Sequence, residues 1–225
     1  MSELSIHTGE VHLHYADLRN YCIERAETLL SPYEIERAGR YRFEKDSLWF
    51  VRGRGLLREV LSRYRRCLPG EIHFQYEKNG KPFLKGEPFA GLHFNMTHSA
   101  DMVAVAVSRG RRVGIDIEKI RDGIPCSDLA DRFFSGAESD TVKTLPEQKK
   151  AECFLRIWTK KEALLKATGE GISMICDIPE FLDGHNISRN GILWQIHDLG
   201  VLPGYTSSLA IEGEESFVMI GHFHT

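Results

Sequence analysis

Cysteine is scarce in this 225-residue sequence, long apolar runs are missing, and there is almost no net charge. The five cysteines, Cys22, Cys67, Cys126, Cys153 and Cys176, are odd in number and never spaced C-x-x-C. That pattern excludes a zinc ribbon and a disulfide framework and leaves reduced thiols as the expectation. No stretch approaches the ~18 consecutive apolar residues of a membrane span. The opening MSELSIHTGE lacks the basic start and apolar segment of a secretory signal. A cytoplasmic protein with no membrane partner is therefore expected. Twenty-nine basic against 32 acidic residues give a formal charge of −3. This excludes a uniformly basic nucleic-acid coat and an acidic disordered tail. No low-complexity linker divides the chain, and strands and helices do not alternate regularly as they do in a doubly wound sheet.

What is present is unevenly placed. Between Arg37 and Arg66 ten basic residues face only Glu44, Asp46 and Glu59, whereas from Asp177 onward seven acids face Arg189 alone. Solvated helix faces account for most such charges, and an anion site fed from the first half is the sharper alternative. The patterning predicts a strand at His12 to Tyr15 and a helix opening at Ser31-Pro32-Tyr33-Glu34 with a capping box. A longer helix is predicted over Asp46 to Tyr64, its apolar stripe running from Trp49 to Tyr64 and leaving Arg52, Arg54 and Arg58 on the polar side or margin. A strand at Ile72 to Tyr76 leads to a hairpin turn at Asn79-Gly80. Strands follow at Leu92 to Thr97, Met102 to Val107 and Arg112 to Glu118, then a short helix capped by Ser127. A long helix over Pro146 to Thr168 ends at Gly169, and three further strands come after it. Grouped rather than alternating elements indicate an α+β fold.

Three acidic residues stand out. In Val113-Gly114-Ile115-Asp116-Ile117-Glu118 the period of two puts Asp116 and Glu118 on one face and Ile115 and Ile117 on the other. Like charges side by side need water, a cation or a basic group between them. On the long helix, Glu162 falls within the stripe of Ala151, Phe154, Leu155, Trp158 and Leu165, with Lys166 one turn on and Lys161 on the flank. A carboxylate in a buried stripe is costly unless it is paired or metal-bound. Asp116, Glu118 and Glu162 together offer oxygen ligands suited to Mg²⁺ or Mn²⁺. With Lys166 nearby, they suggest phosphoryl or phosphodiester transfer. Asn95-Met96-Thr97-His98-Ser99 interrupts two apolar strands and serves either to bind phosphate or to cap a turn.

Taken in order, Phe94 to Ser99, Val113 to Glu118, Arg132-Phe133-Phe134-Ser135 and Trp158-Thr159-Lys160-Lys161-Glu162-Ala163-Leu164-Leu165-Lys166 resemble the 4′-phosphopantetheinyl transferases of the Sfp type. Lys78 to Pro82 and Gly169-Glu170-Gly171 fit the same pattern. The resemblance implies two pseudo-symmetric halves, each a small, mostly antiparallel sheet with packed helices. Residues 1–108 would form the nucleotide side and 109–225 the metal and carrier-protein side. It implies transfer of 4′-phosphopantetheine from coenzyme A to a serine of an apo acyl or peptidyl carrier protein, releasing 3′,5′-ADP. Asp116, Glu118 and Glu162 would hold Mg²⁺, with Mn²⁺ a possible substitute. Glu162, Lys166 and Asp116 would be catalytic. Arg37, Arg40, Arg52, Lys81, Pro82, Thr97, His98 and Lys161 would contact coenzyme A. The family leads one to expect a monomer that binds no nucleic acid.

Overall fold

A computed structural model describes residues 3–65, 67–84, 86, 90–181, 186–200, 202–214 and 217–222. The first half opens with strand β1 (Glu10–Asp17) and three helices, α1 (Ile23–Leu29), α2 (Pro32–Gly39) and α3 (Glu44–Arg63). The hairpin β2 (Phe74–Tyr76) and β3 (Pro82–Leu84) follows, and then β4 (Leu92–Ser99) and β5 (Met102–Arg109). The second half contains β6 (Val113–Lys119), α4 (Cys126–Phe133), α5 (Gly136–Thr144) and α6 (Glu147–Thr168), then β7 (Asn186–Arg189), β8 (Ile192–Asp198) and β9 (Tyr205–Glu212). The last strand, β10 (Phe217–His222), runs parallel to β1, while every other ladder is antiparallel.

The two four-stranded sheets have the orders β10-β1-β5-β4 and β6-β9-β8-β7. Alternation along the strands builds the layers. Val103, Val105 and Val107 of β5 face α3, while Ala104 and Ala106 meet Ile115, Ile117, Leu209 and Ile211 of the second sheet. Helix α6 covers the other side of that sheet through Ala163, Leu164 and Ala167 against Trp194, Ile196 and Ala210. The fold is α+β in two halves, each with a four-stranded sheet and one long helix. A division at 108/109 cuts off Arg109, the last residue of β5, and β10 carries residues 217–222 back into the first sheet. The expectation that 109–225 form one half therefore needs that correction. No helix among the described residues is long and apolar enough to cross a membrane.

Local chemistry explains most boundaries. Ser31 accepts the Glu34 N–H while Glu34 accepts the Ser31 N–H, the reciprocal cap expected at α2. Asn79-Gly80 turns the β2–β3 hairpin, with Gly80 at φ +82°. Gly169 ends α6 in the left-handed region. Ser127, by contrast, caps nothing: α4 begins one residue earlier, after Pro125. Arg54 and Arg58 are also not on a polar margin. Both are buried, and Arg58 donates to Glu34 at 2.7 and 3.0 Å and to the carbonyls of Pro69 and Ile72. A carboxylate 24 residues away makes burial of that guanidinium affordable.

Candidate active site

Strands β4 and β6 are edge strands of different sheets, and they meet through side chains. Asn95 Oδ1 accepts the Ile115 N–H at 2.8 Å, Thr97 Oγ1 donates to Asp116 at 2.9 Å, and Ser99 Oγ donates to Glu118 at 2.7 Å. The i, i+2, i+4 spacing of Asn95, Thr97 and Ser99 directs all three toward β6. Met96 and His98 point the other way, into a cavity. The polar interruption read from the sequence is thus the stitch between the halves, and its alternation was the signal for it.

On β6 the carboxylates of Asp116 and Glu118 face α6, as their spacing predicts. Gly114 shares that face, and a Cβ there would lie 2.1 Å from the Ala163 carbonyl oxygen. Only glycine lets α6 lie this close to the strand, and that closeness brings Glu162 and Lys166 to Asp116. Lys166 Nζ donates to Asp116 Oδ1 at 2.5 Å and to Thr97 Oγ1 at 3.0 Å. Asp116 Oδ2 is buried without a hydrogen-bond partner. Burial raises the pKa of Glu162, partly offset by Lys166, and the charges of Asp116 and Glu118 raise it further. Burial raises Glu118 as well, against the hydrogen bond from Ser99. Among the described residues no three His, Cys, Asp or Glu side chains form a metal-holding group. Lys166 supplies the cationic charge at the cluster.

Two cavities open beside it. One, about 430 Å³, is lined by Arg37, Asp46, Trp49, Phe50, Arg54 and His98 among others. The second, about 260 Å³, is lined by Lys81, Glu162, Leu165, Lys166 and Ile172. Gly80, Pro82 and Asn95 belong to the walls of both. A basic, aromatic chamber is thus joined across the hairpin to one whose charged lining is Glu162, Lys81 and Lys166.

The predicted site residues divide accordingly. Arg37 lies over the Phe50 ring at 5.1 Å and His98 lines the same chamber, its pKa lowered by burial and then by Lys166. Pro82 lines both chambers; Lys81 lines the second, with its pKa lowered by burial to about 8. Thr97 is in the carboxylate cluster and lines neither chamber. Three further assignments need correction. Arg40 points to solvent and pairs with Glu36 one turn back. Arg52 lies over Trp49 at 5.6 Å and lines neither chamber. Lys161 is fully buried, paired with Glu138 at 2.9 Å and bonded to the Ile178 carbonyl, so it cannot meet a ligand. Sequence reasoning missed Arg54, which lines the larger chamber with Nε ion-paired to Glu34 at 3.3 Å and Nη1 buried without a hydrogen-bond partner. It also treated Trp49 and Phe50 as core, although both are only half-buried at the chamber wall.

Residues 20–110 match the model described as 4′-phosphopantetheinyl transferase, N-terminal, and residues 112–198 match the 4′-phosphopantetheinyl transferase superfamily. The chain is 40% identical over 179 residues to the 4′-phosphopantetheinyl transferase HetI of Nostoc sp., covering 78% of this chain and 75% of the relative. The chain belongs to the 4′-phosphopantetheinyl transferase superfamily. The psf-1 transferase of Bacillus pumilus is 36% identical over 151 residues, 67% of this chain and 63% of its own. The Sfp transferase of Bacillus subtilis is 32% identical over 155 residues, 68% and 66% respectively. The two family segments meet between residues 110 and 112, where β5 passes to β6. In this 4′-phosphopantetheinyl transferase, the seam between segments runs beside the acidic cluster.

Proposed function

We propose that the chain transfers the 4′-phosphopantetheine group of coenzyme A to a serine of an apo carrier protein. The observation that carries this reading is the pair of chambers sharing Gly80, Pro82 and Asn95. One suits a nucleotide with its 3′-phosphate, and the other suits a pyrophosphate beside carboxylates and a lysine. Arg37, Arg54 and His98 present guanidinium and imidazole groups to the 3′-phosphate, with Arg the better match to its oxygens. Trp49 and Phe50 supply flat apolar surface to the adenosine.

The donor chemistry, all carboxylate oxygen, suits a hard divalent cation, although the three groups do not stand as a ready metal-holding cluster: Asp116 Oδ2 lacks a partner, and burial with mutual repulsion raises the pKa of Glu118 and Glu162. Asp116, Glu118 and Glu162 would hold Mg²⁺, or Mn²⁺ in its place, and the ion would neutralise pyrophosphate charge. In the reaction the serine Oγ forms a bond to the phosphorus next to pantetheine. The bond from that phosphorus to the bridging oxygen breaks, and the electron pair leaves with 3′,5′-ADP. Glu162 is our assignment for the group that takes the serine proton. Lys166 gives hydrogen bonds to the leaving phosphate. Because both halves of the site lie on one chain, a cytoplasmic monomer suffices. The test is to incubate the protein with coenzyme A, Mg²⁺ and several apo carrier proteins and to weigh the carriers by mass spectrometry. A mass gain of one phosphopantetheine is expected, and no gain on any carrier would overturn the reading.

A further inference from the structure

The β2–β3 hairpin belongs to the first half, yet its tip is fastened to the end of α6 in the second. Asn79 Nδ2 donates to the Gly169 carbonyl at 2.8 Å and to the Glu170 carbonyl at 3.1 Å. Lys81 Nζ donates to the Ala167 carbonyl at 3.0 Å. The Ala167 and Gly169 carbonyls are among those a helix leaves without internal partners at its C-terminus, where the dipole also favours a cation, and Glu170 follows the cap. The approach is close enough that a Cβ at Gly169 would stand 2.4 Å from Glu77 Oε2 on the hairpin stem. The far side of the same loop is also pinned, since Glu170 accepts from Arg189 at 2.5 Å, Asn190 at 3.0 Å and Thr168 at 2.9 Å.

Two consequences meet at this clasp. Asn79 itself lines the smaller chamber, and Gly80 and Pro82 beside it wall both. Lys166, less than one turn before Gly169, reaches Asp116 from the helix end that Asn79 holds. We infer that Asn79 is a positioning residue. Its amide ties the wall of the donor chambers to the helix that carries Glu162 and Lys166, so that the two chambers form one continuous site before the donor arrives. This rests on the proposed use of coenzyme A. With the clasp broken, part of the donor's binding energy is spent in re-forming the wall. The loss then appears in donor capture and not in the chemical step.

The test is Asn79→Ala, which removes the amide that donates to the two carbonyls and adds no charge to the chamber lining. Relative to the unmodified protein, KM for coenzyme A should rise about tenfold. Turnover at saturating donor, KM for the carrier and Tm should stay near the original values. Amide hydrogen exchange should quicken at 77–82 and 167–171. Unchanged exchange, whether KM rises or not, with normal transfer by the unmodified protein, would overturn the inference alone. So would lower turnover with unchanged KM, which marks a lost active fraction and a purely structural asparagine. Absence of transfer by the unmodified protein would overturn the functional reading and this inference with it.

Discussion

Two lysines on α6, five residues apart, each face a buried carboxylate, and they serve different ends. Lys161 meets Glu138 where both side chains are almost wholly buried, and every contact is closed. Glu138 also accepts the Phe181 N–H, and Lys161 also reaches the Ile178 carbonyl. Lys166 meets Asp116 at the wall of a cavity, with 29% of the lysine side chain exposed and one carboxylate oxygen left without a partner. The first pair is satisfied and inert, and it fastens α5 to α6. The second is incomplete, shares its carboxylate with Thr97 and stands beside two further acids. On the proposed function, we assign support of the fold to the saturated pair and reactivity to the unsaturated one.

Substitutions can break this contrast. The largest effect expected is on turnover: Lys166→Met should lower kcat/KM by about a hundredfold or more, with only a small shift in Tm. Lys161→Met should do the reverse. It leaves Glu138 charged and buried, costs about 3–5 kcal/mol of stability by denaturant titration, and leaves KM for coenzyme A unchanged in the folded fraction. If Lys161→Met altered KM and not stability, the division of labour would be wrong.

Glu162→Gln sharpens the contrast through pH. Because the folded protein raises the Glu162 pKa above its ordinary value of 4.5, the neutral carboxyl favours the fold. That contribution is full below the unfolded pKa and is lost as pH rises through the folded one. The glutamine variant should therefore match the original Tm at low pH and exceed it at neutral pH, while transfer falls about a hundredfold. Equal Tm values across the range would refute the electrostatic cost assigned to Glu162. The smallest effect expected is at the far chamber. His98→Ala should weaken binding of coenzyme A about tenfold by calorimetry while leaving 3′-dephospho-coenzyme A nearly unaffected.

Periodicity made the local parts of this site legible. A period of two put Asp116 and Glu118 together, and the Ser31 cap and the Asn79-Gly80 turn lie where their side-chain chemistry requires. What failed was the treatment of long helices as amphipathic. Helix α6 is packed by β6 and β9 and also by α4 and α5, so Lys161, Glu162, Ala163, Leu164 and Leu165 are all buried in succession. A single stripe cannot describe a helix covered on several sides, and nothing near Lys161 in the sequence reveals Glu138. Arg54 and Arg58 misled for the same reason, because Glu34 on another helix determines their burial. Helix α1 and helix α5 were not anticipated. Their short segments, IERAETL and GAESDTVKT, carry little apolar pattern of their own.

The crossing of β10 has a consequence for how the molecule is made. Glu10 pairs with Phe217, and Tyr15 with His222, roughly two hundred residues later in synthesis. The first sheet therefore cannot be completed while the second half is still unmade, even though its other three strands lie within the first half. Such long-range pairing slows folding and leaves the outer edge of β1 uncovered until the end. The larger chamber is lined by the first half alone, but the smaller one takes Glu162 and Lys166 from the second, so the joined pair of chambers exists only once α6 is in place.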